Sequence, residues 1–313
     1  MSKSLWLVAF FTAFCFACSP PAPSDPEQDK EPIGIEWSKD VPAKHDIVNG
    51  SAVTYKEEIY VLAGKEGRFM KYNPATYTWN DLAGLPGPRT EAGMALWNDR
   101  IVVAGGVDDS SHFMRRVDYF DLNLQVWKSM PSLPEGRSRF SLNTVLGILY
   151  ATVGVCGEDN QFYTNCRGIL FYDDSLKSWQ QQASLSSGRY GNASAVSKSI
   201  LYLIGGYSVD PKLGTFYINH LKKEVGAKPS IPNARGNFGA IAIGNFILTF
   251  GGKTPTDFSP SEKLDLTTNK WEELDPCPFW NDRFAFSRWK NTIYVFGGSQ
   301  APRQVWKGEI KFK

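Results

Sequence analysis

One pattern recurs along most of the chain: a hydrophobic run closing on a Gly-Gly pair, a loop, a strand carrying Trp, and a short turn closing on Arg. The run and doublet read RIVVAGG at Arg100–Gly106, ILYLIGG at Ile200–Gly206, FILTFGG at Phe246–Gly252 and TIYVFGG at Thr292–Gly298. Weaker copies stand at Glu58–Lys65 (EIYVLAGK) and Gly147–Val155 (GILYATVGV). Read from Ala63, Gly105, Gly154, Gly205, Gly251 and Gly297, the six copies step by 42, 49, 51, 46 and 46 residues. The runs are β-branched and aromatic, which suits buried strands, and glycine pairs let the backbone turn with positive φ and let neighbouring units approach closely.

Tryptophan supplies a second ruler. Trp37, Trp79, Trp127 and Trp179 step by 42, 48 and 52, and Trp271 lies two steps of 46 further on, with Val225 at the midpoint. A further step of 46 falls beyond Lys313, so the last repeat lacks its outermost strand, while Ile33–Ser38 (IGIEWS) is a spare Trp strand at the start. The two ends are expected to complete one another. The period is that of four-stranded propeller units, and the fold class is all-β: a six-bladed propeller whose last blade takes an N-terminal strand, leaving no open edge.

The residues resemble the kelch repeat family of β-propellers over about Ile33 to Lys313. The doublet motif stands at Leu201–Gly206 (LYLIGG) and Ile293–Gly298 (IYVFGG), and the aromatic-Asp-Trp segment at Tyr119–Trp127 and Phe171–Trp179. The departures are Ala63-Gly64 in the first unit, Gly154-Val155 in the third and Val225 in the fourth. Doublets and repeat Trp residues are read as scaffold, each Trp burying roughly 150–250 Å² between blades.

The stretch before the repeats is a different object. Met1–Ala17 carries Lys3 and the twelve-residue apolar core Leu5–Phe16, the length of an export signal. Ala17 before Cys18 resembles the lipobox of bacterial lipoproteins, although Cys15 stands where an aliphatic residue is usual; an ordinary signal cut near Ala17 or Ala22 is the alternative. Residues 1–17 are therefore read as a lipoprotein signal peptide, Cys18 as the lipidated residue, 18–32 as a Pro-rich tether and 33–313 as the propeller. The resemblance, with Ser19 after the cysteine, implies export to the cell envelope as an outer-membrane lipoprotein held by a lipid anchor.

The formal charge of +2 is well mixed, giving no polybasic surface for nucleic acid. Cys156 and Cys166 flank one loop and are expected to form a disulfide in an oxidising compartment, two free thiols being the alternative; Cys277 is left over. There is no His-Glu-x-x-His, Gly-x-Ser-x-Gly or Cys-x-x-Cys, and Gly252-Lys253-Thr254 only imitates a phosphate loop, since Ile247 stands where its first Gly must be. Galactose oxidase, a kelch enzyme, uses His and Tyr on copper. Here His45, His112 and His220 lie in three different units, so neither metal nor cofactor is expected.

Arginine carries the remaining signal. Arg89, Arg137, Arg189 and Arg235 each lie ten residues after a strand marker, whereas the same count reaches Asn281 in the last unit, leaving Arg283 two residues late, and Ile47 in the first. They are expected either to pin blades through main-chain carbonyls or to ring the mouth of the loop face. Four long loops, Val107–Arg116, Cys156–Arg167, Tyr207–Gly214 and Lys253–Ser261, open on that face. Guanidinium with aromatic and amide groups suits a carboxylate, so the site is read as Arg89, Arg137, Arg189, Arg235 and Arg283, and the partner as a protein or an acidic glycan. The alternative is a sugar-active enzyme resembling the exported kelch N-acetylneuraminate epimerases (mutarotases), with no catalytic residue assigned.

Overall fold

The computed structural model describes residues 30–158, 162–208, 214–254 and 260–313. The signal, lipidation and most of the tether assigned above lie outside these residues. Among the described residues every regular element is a strand. Six four-stranded antiparallel sheets form, together with a small three-stranded one built from Gly136–Ser138, Val155–Glu158 and Phe162–Asn165.

The second sheet shows the plan. Its strands Gly93–Trp97, Arg100–Ala104, Val117–Asp121 and Val126–Met130 follow one another from inside to outside. The second strand is the hydrophobic run, buried from Ile101 to Ala104, and the outermost carries Trp127. The sixth sheet orders Ala285–Trp289, Thr292–Phe296, Val305–Phe312 and then Pro32–Asp40, the last paired antiparallel with Val305–Phe312. Chain ends thus share one sheet.

The innermost strands of neighbouring sheets touch in cyclic order, the first meeting the second and also the sixth. Each seam holds its own hydrophobic cluster. Val102 and Ala104 of the second sheet meet Leu149 and Ala151 of the third, and Val61 of the first meets Phe296 of the sixth. The Trp residues reinforce the seams: Trp127 Nε1 donates to Ala83 O (2.7 Å), Trp179 to Pro131 O (3.0 Å) and Trp271 to Pro229 O (2.9 Å). Val225 keeps only the apolar part, packing against its cluster.

The frame of the third doublet needs correction. Gly105 and Gly106 have φ of 61° and 98°, and Val153 and Gly154 repeat this with 52° and 102°. The doublet positions are therefore Val153-Gly154, not Gly154-Val155. Measured from Val153, the first three steps become 42, 48 and 52, the same as the Trp steps. Glycine is required where blades meet: a Cβ on Gly105 would stand 2.3 Å from Arg137 O.

Candidate functional site

The turn that feeds each innermost strand places the aligned arginines, and it turns them inward. Arg89, Arg137, Arg189 and Arg235 are all buried. Arg89 donates to Pro86 O, Gly87 O, Val103 O and Asp118 Oδ2, the last at 2.9 Å. Arg137 donates to Gly168 O (3.2 Å) and Glu135 Oε1 (2.7 Å), and Arg189 to Gly205 O and Gly214 O, both at 3.0 Å. Arg235 reaches Gly251 O (3.0 Å) and the fully buried Glu262 carboxylate, which also accepts from Thr249 and Asn233. Desolvation draws the Arg89, Arg137 and Arg189 guanidinium groups below the ordinary value, opposed by Asp118 at Arg89 and by Glu135 at Arg137.

The expected ring of ligand-facing guanidinium groups is therefore not formed by these four. Each finds carbonyl acceptors at the doublet end of its own sheet, which offsets part of the cost of burying the guanidinium, while the Nε of Arg89, Arg137 and Arg189 stays without a partner among the described residues. In the sixth sheet Asn281 does the same job, donating to Gly297 O at 2.6 Å. Arg283 is separate from them: its side chain is 43% exposed, with Nε 3.6 Å from Asp282 Oδ2.

The residues around the axis lie two positions further along. Asn49, Glu91, Arg139, Gly191, Asn237 and Arg283 all have positive φ, from 50° to 61°. Their main chains link the sheets: Glu91 N donates to Asn49 O, Arg139 N to Glu91 O, Gly191 N to Arg139 O, Asn237 N to Gly191 O and Asn49 N to Arg283 O. These six residues line a neck of about 150 Å³. Left-handed backbone costs a non-glycine residue about 1–2 kcal/mol, so Glu91, Arg139 and Arg283 are held there by the ring around them.

On the mouth side of the third to sixth sheets this ring opens into a cavity of about 550 Å³. Arg139 and Arg283 border it with Tyr190, Tyr207, Trp280 and Asp282. Arg139 is paired with Glu91 at 2.6 Å, and that hydrogen bond holds its guanidinium above the ordinary value. The rings of Tyr190 and Tyr207 lie 5.6 Å apart, and Trp280 is 40% exposed. Asp282 accepts from Ser299 Oγ and, at 3.4 Å, from Asn237 Nδ2. Lys253, from the imitation phosphate loop, also lines the cavity. The exposed guanidinium of Arg283 beside aromatic and amide groups can take a carboxylate bidentately while a ligand's apolar face rests on a ring.

Arg283 is named from its sequence position, whereas Arg139, Glu91 and Asn237 are not. Two places after each register position stands a polar residue, Gly191 excepted, but nothing in one dimension marks that residue as the one facing the axis.

The cysteines and histidines have plain positions. Cys156 and Cys166 are joined by a disulfide with Cα atoms 5.5 Å apart, and Cys277 is buried with its thiol pushed up to about 11 by desolvation. Glu135 lies beside that disulfide, so the only metal-sized cluster of potential ligands among the described residues uses sulfurs already bonded to each other. His45 contacts Asp81, His112 contacts Asp108 and His220 contacts Tyr150. Parts of the loops after Cys156, Tyr207 and Lys253 lie outside the described residues.

Four-stranded antiparallel sheets whose innermost strands touch in cyclic order are the arrangement of a β-propeller, and a Kelch motif falls within it. The family model of the Kelch motif matches residues 88–134, from the turn at Arg89 through the outermost strand of the second sheet. The chain is similar to Kelch-like protein 40 of Xenopus tropicalis, 26% identical over 47% of this chain and 25% of the relative. It is similar also to Kelch-like protein 41b of Danio rerio, 25% identical over 61% and 32%, and to Kelch-like protein terF of Aspergillus terreus, 26% identical over 73% and 56%. The chain thus spans between a quarter and a little over half the length of these curated relatives.

Proposed function

We propose that this chain is a closed six-bladed kelch propeller, exported and lipid-anchored at Cys18, that binds a carboxylate-bearing protein segment or acidic glycan in the mouth cavity. The cyclic contacts of the innermost strands and the pairing of Pro32–Asp40 with Val305–Phe312 support the closed form. The observation that carries the binding reading is Arg283, solvent-facing at the rim of a cavity bordered by Trp280, Tyr190 and Tyr207.

The test is an array of acidic glycans and carboxylate-terminated peptides, probed at low and high salt. Binding should be selective for acidic members and weaken with salt, since a partly exposed guanidinium is screened. Uniform failure of acidic members to bind, or binding insensitive to Arg283→Ala, overturns the reading.

A further inference from the structure

We propose that the face opposite the mouth docks on a lipid bilayer through an arc of apolar turn tips. In each sheet the second strand ends at the doublet beside the mouth, so the third strand runs away from it. The turn from third to fourth strand therefore lies on the far face. These turns are built alike: Asp121 Oδ1 accepts from Leu124 N (3.1 Å), Asp173 Oδ1 from Leu176 N (3.2 Å) and Asn219 Oδ1 from Lys222 N (3.1 Å). Leu124 and Leu176 hold the same place in their turns, three residues after the capping Asp, whereas Leu221 stands two after Asn219 and Tyr77 four after Asn73.

Large apolar side chains stand at those tips. Leu124 is 60% exposed, Leu176 64% and Leu221 71%, with Tyr77 on the first sheet's turn and Leu146 on the third sheet's inner hairpin also exposed. Four consecutive sheets present a large apolar side chain to solvent on the same side, whereas the fifth has Thr268 at its tip. Charged groups of both signs stand between the tips, as in the Lys177–Asp174 pair at 2.6 Å. Apolar tips among mixed charges fit the headgroup and upper acyl region of a bilayer, where aromatic and aliphatic side chains are buried without a charge requirement.

The entry point of the chain selects a membrane as occupant. Pro32 pairs with Phe312 at the end of the sixth sheet's third strand, which is the far face. Residues before it therefore join the propeller from the side that carries the leucines, and that stretch holds the apolar core Leu5–Phe16 and Cys18. A membrane-held tether would draw this face towards the bilayer and leave the mouth pointing away. The orientation rests on the anchoring proposed above.

The test reconstitutes the full chain in phosphatidylcholine/phosphatidylglycerol vesicles carrying nitroxide lipids. Leu124→Cys, Leu176→Cys and, on a mouth-side loop, Asp109→Cys are labelled with an environment-sensitive fluorophore, with the parent protein as background. Cys277 is buried and Cys156 and Cys166 are bonded, so these three do not compete. Quenching at 124 and 176 should exceed that at 109 at least twofold, and the Leu124→Ser, Leu176→Ser double variant should lower vesicle association. Equal quenching at the three positions overturns the docking face, as does self-association of the protein with no quenching at 124 or 176. Fatty-acid labelling of the parent and of Cys18→Ser separates the two readings: labelling without differential quenching keeps the anchor and removes the docking, and differential quenching without labelling does the reverse.

Discussion

The main-chain amide of Gly298, at the end of the last doublet, donates to the carbonyl of Ile47, on the turn entering the first sheet, at 2.7 Å. The same bond recurs from Gly106 to Arg137 O, Gly154 to Arg189 O, Gly206 to Arg235 O and Gly252 to Asn281 O. What repeats at this register is a carbonyl aimed at the preceding sheet's second glycine. The side chain serves its own sheet, so Ile47 can occupy a position filled elsewhere by Arg without breaking the seam.

Gly298→Ala should therefore be costly. Its φ is 111°, and an added Cβ would lie 2.3 Å from Asn281 Nδ2. A loss of roughly 3 kcal/mol or more is expected from strain and overpacking together. Gly147→Ala is the control: its φ is 77°, but a Cβ there meets nothing within 4 Å, so only the backbone term of about 1–2 kcal/mol applies. Thermal unfolding of the two variants checks the difference, and equal melting temperatures would show that packing against Asn281 adds nothing to the backbone strain at Gly298.

Arg137 and Arg283 should behave as opposites. Removing the buried Arg137 side chain leaves the Ala151 and Gly168 carbonyls without their donor, and a loss of roughly 1–3 kcal/mol is expected. Arg283→Ala should change the melting temperature little and reduce acidic-ligand binding about tenfold or more, which corresponds to 1.4 kcal/mol or more. Calorimetric unfolding together with a binding titration measures both. A stable Arg137→Ala protein that has lost ligand would return the buried arginines to the site.

Acid should loosen the far-face turns. The Leu124 amide, above all, holds the Asp121 carboxyl below its ordinary value, and the Ser175 hydroxyl does the same for Asp173. A depressed folded-state pKa gives stability that is present above the ordinary carboxylate value, about pH 4, and is lost as pH falls below it through the folded value. Asp121→Asn retains an oxygen to accept the turn's amides, so its melting temperature should vary less with pH below about 4 than the parent's. Parallel curves for the two proteins would exclude Asp121 from acid sensitivity.

Reduction should weaken the small sheet beside the third blade. Arg137 pairs with Cys156 in its ladder, and the disulfide closes a segment with a sequence separation of 10 residues. On the chain-entropy model this loop closure contributes about 2–3 kcal/mol. Cys156→Ser with Cys166→Ser should lower the melting temperature, and non-reducing mass spectrometry of the parent should find the two peptides linked. Two alkylatable thiols in natively purified protein would remove this contribution.

The spacing of Trp79, Trp127, Trp179 and Trp271 made the repeat legible, because Trp recurs at one position of the outer strand; Trp127, Trp179 and Trp271 each reach a carbonyl of the neighbouring unit, and Trp79 contributes packing. The same holds for the doublets: φ near 60° and then 100° with a neighbour's carbonyl close by leaves little besides glycine. The frame of the third doublet slipped by one residue because Val153 adopts left-handed backbone that its identity does not announce. Tertiary structure alone decided which way the arginines point. Arg89 and Arg283 are the same side chain on equivalent turns, two residues out of register, yet one is sealed against Asp118 and the other lies open at the rim. A guanidinium follows whichever acceptors surround it, and those at Val103, Gly205 and Gly251 come near only when their sheets have formed. The Glu91–Arg139 pair shows the same limit, since its two residues lie on successive blades and meet only through the curvature that brings six turns to one axis.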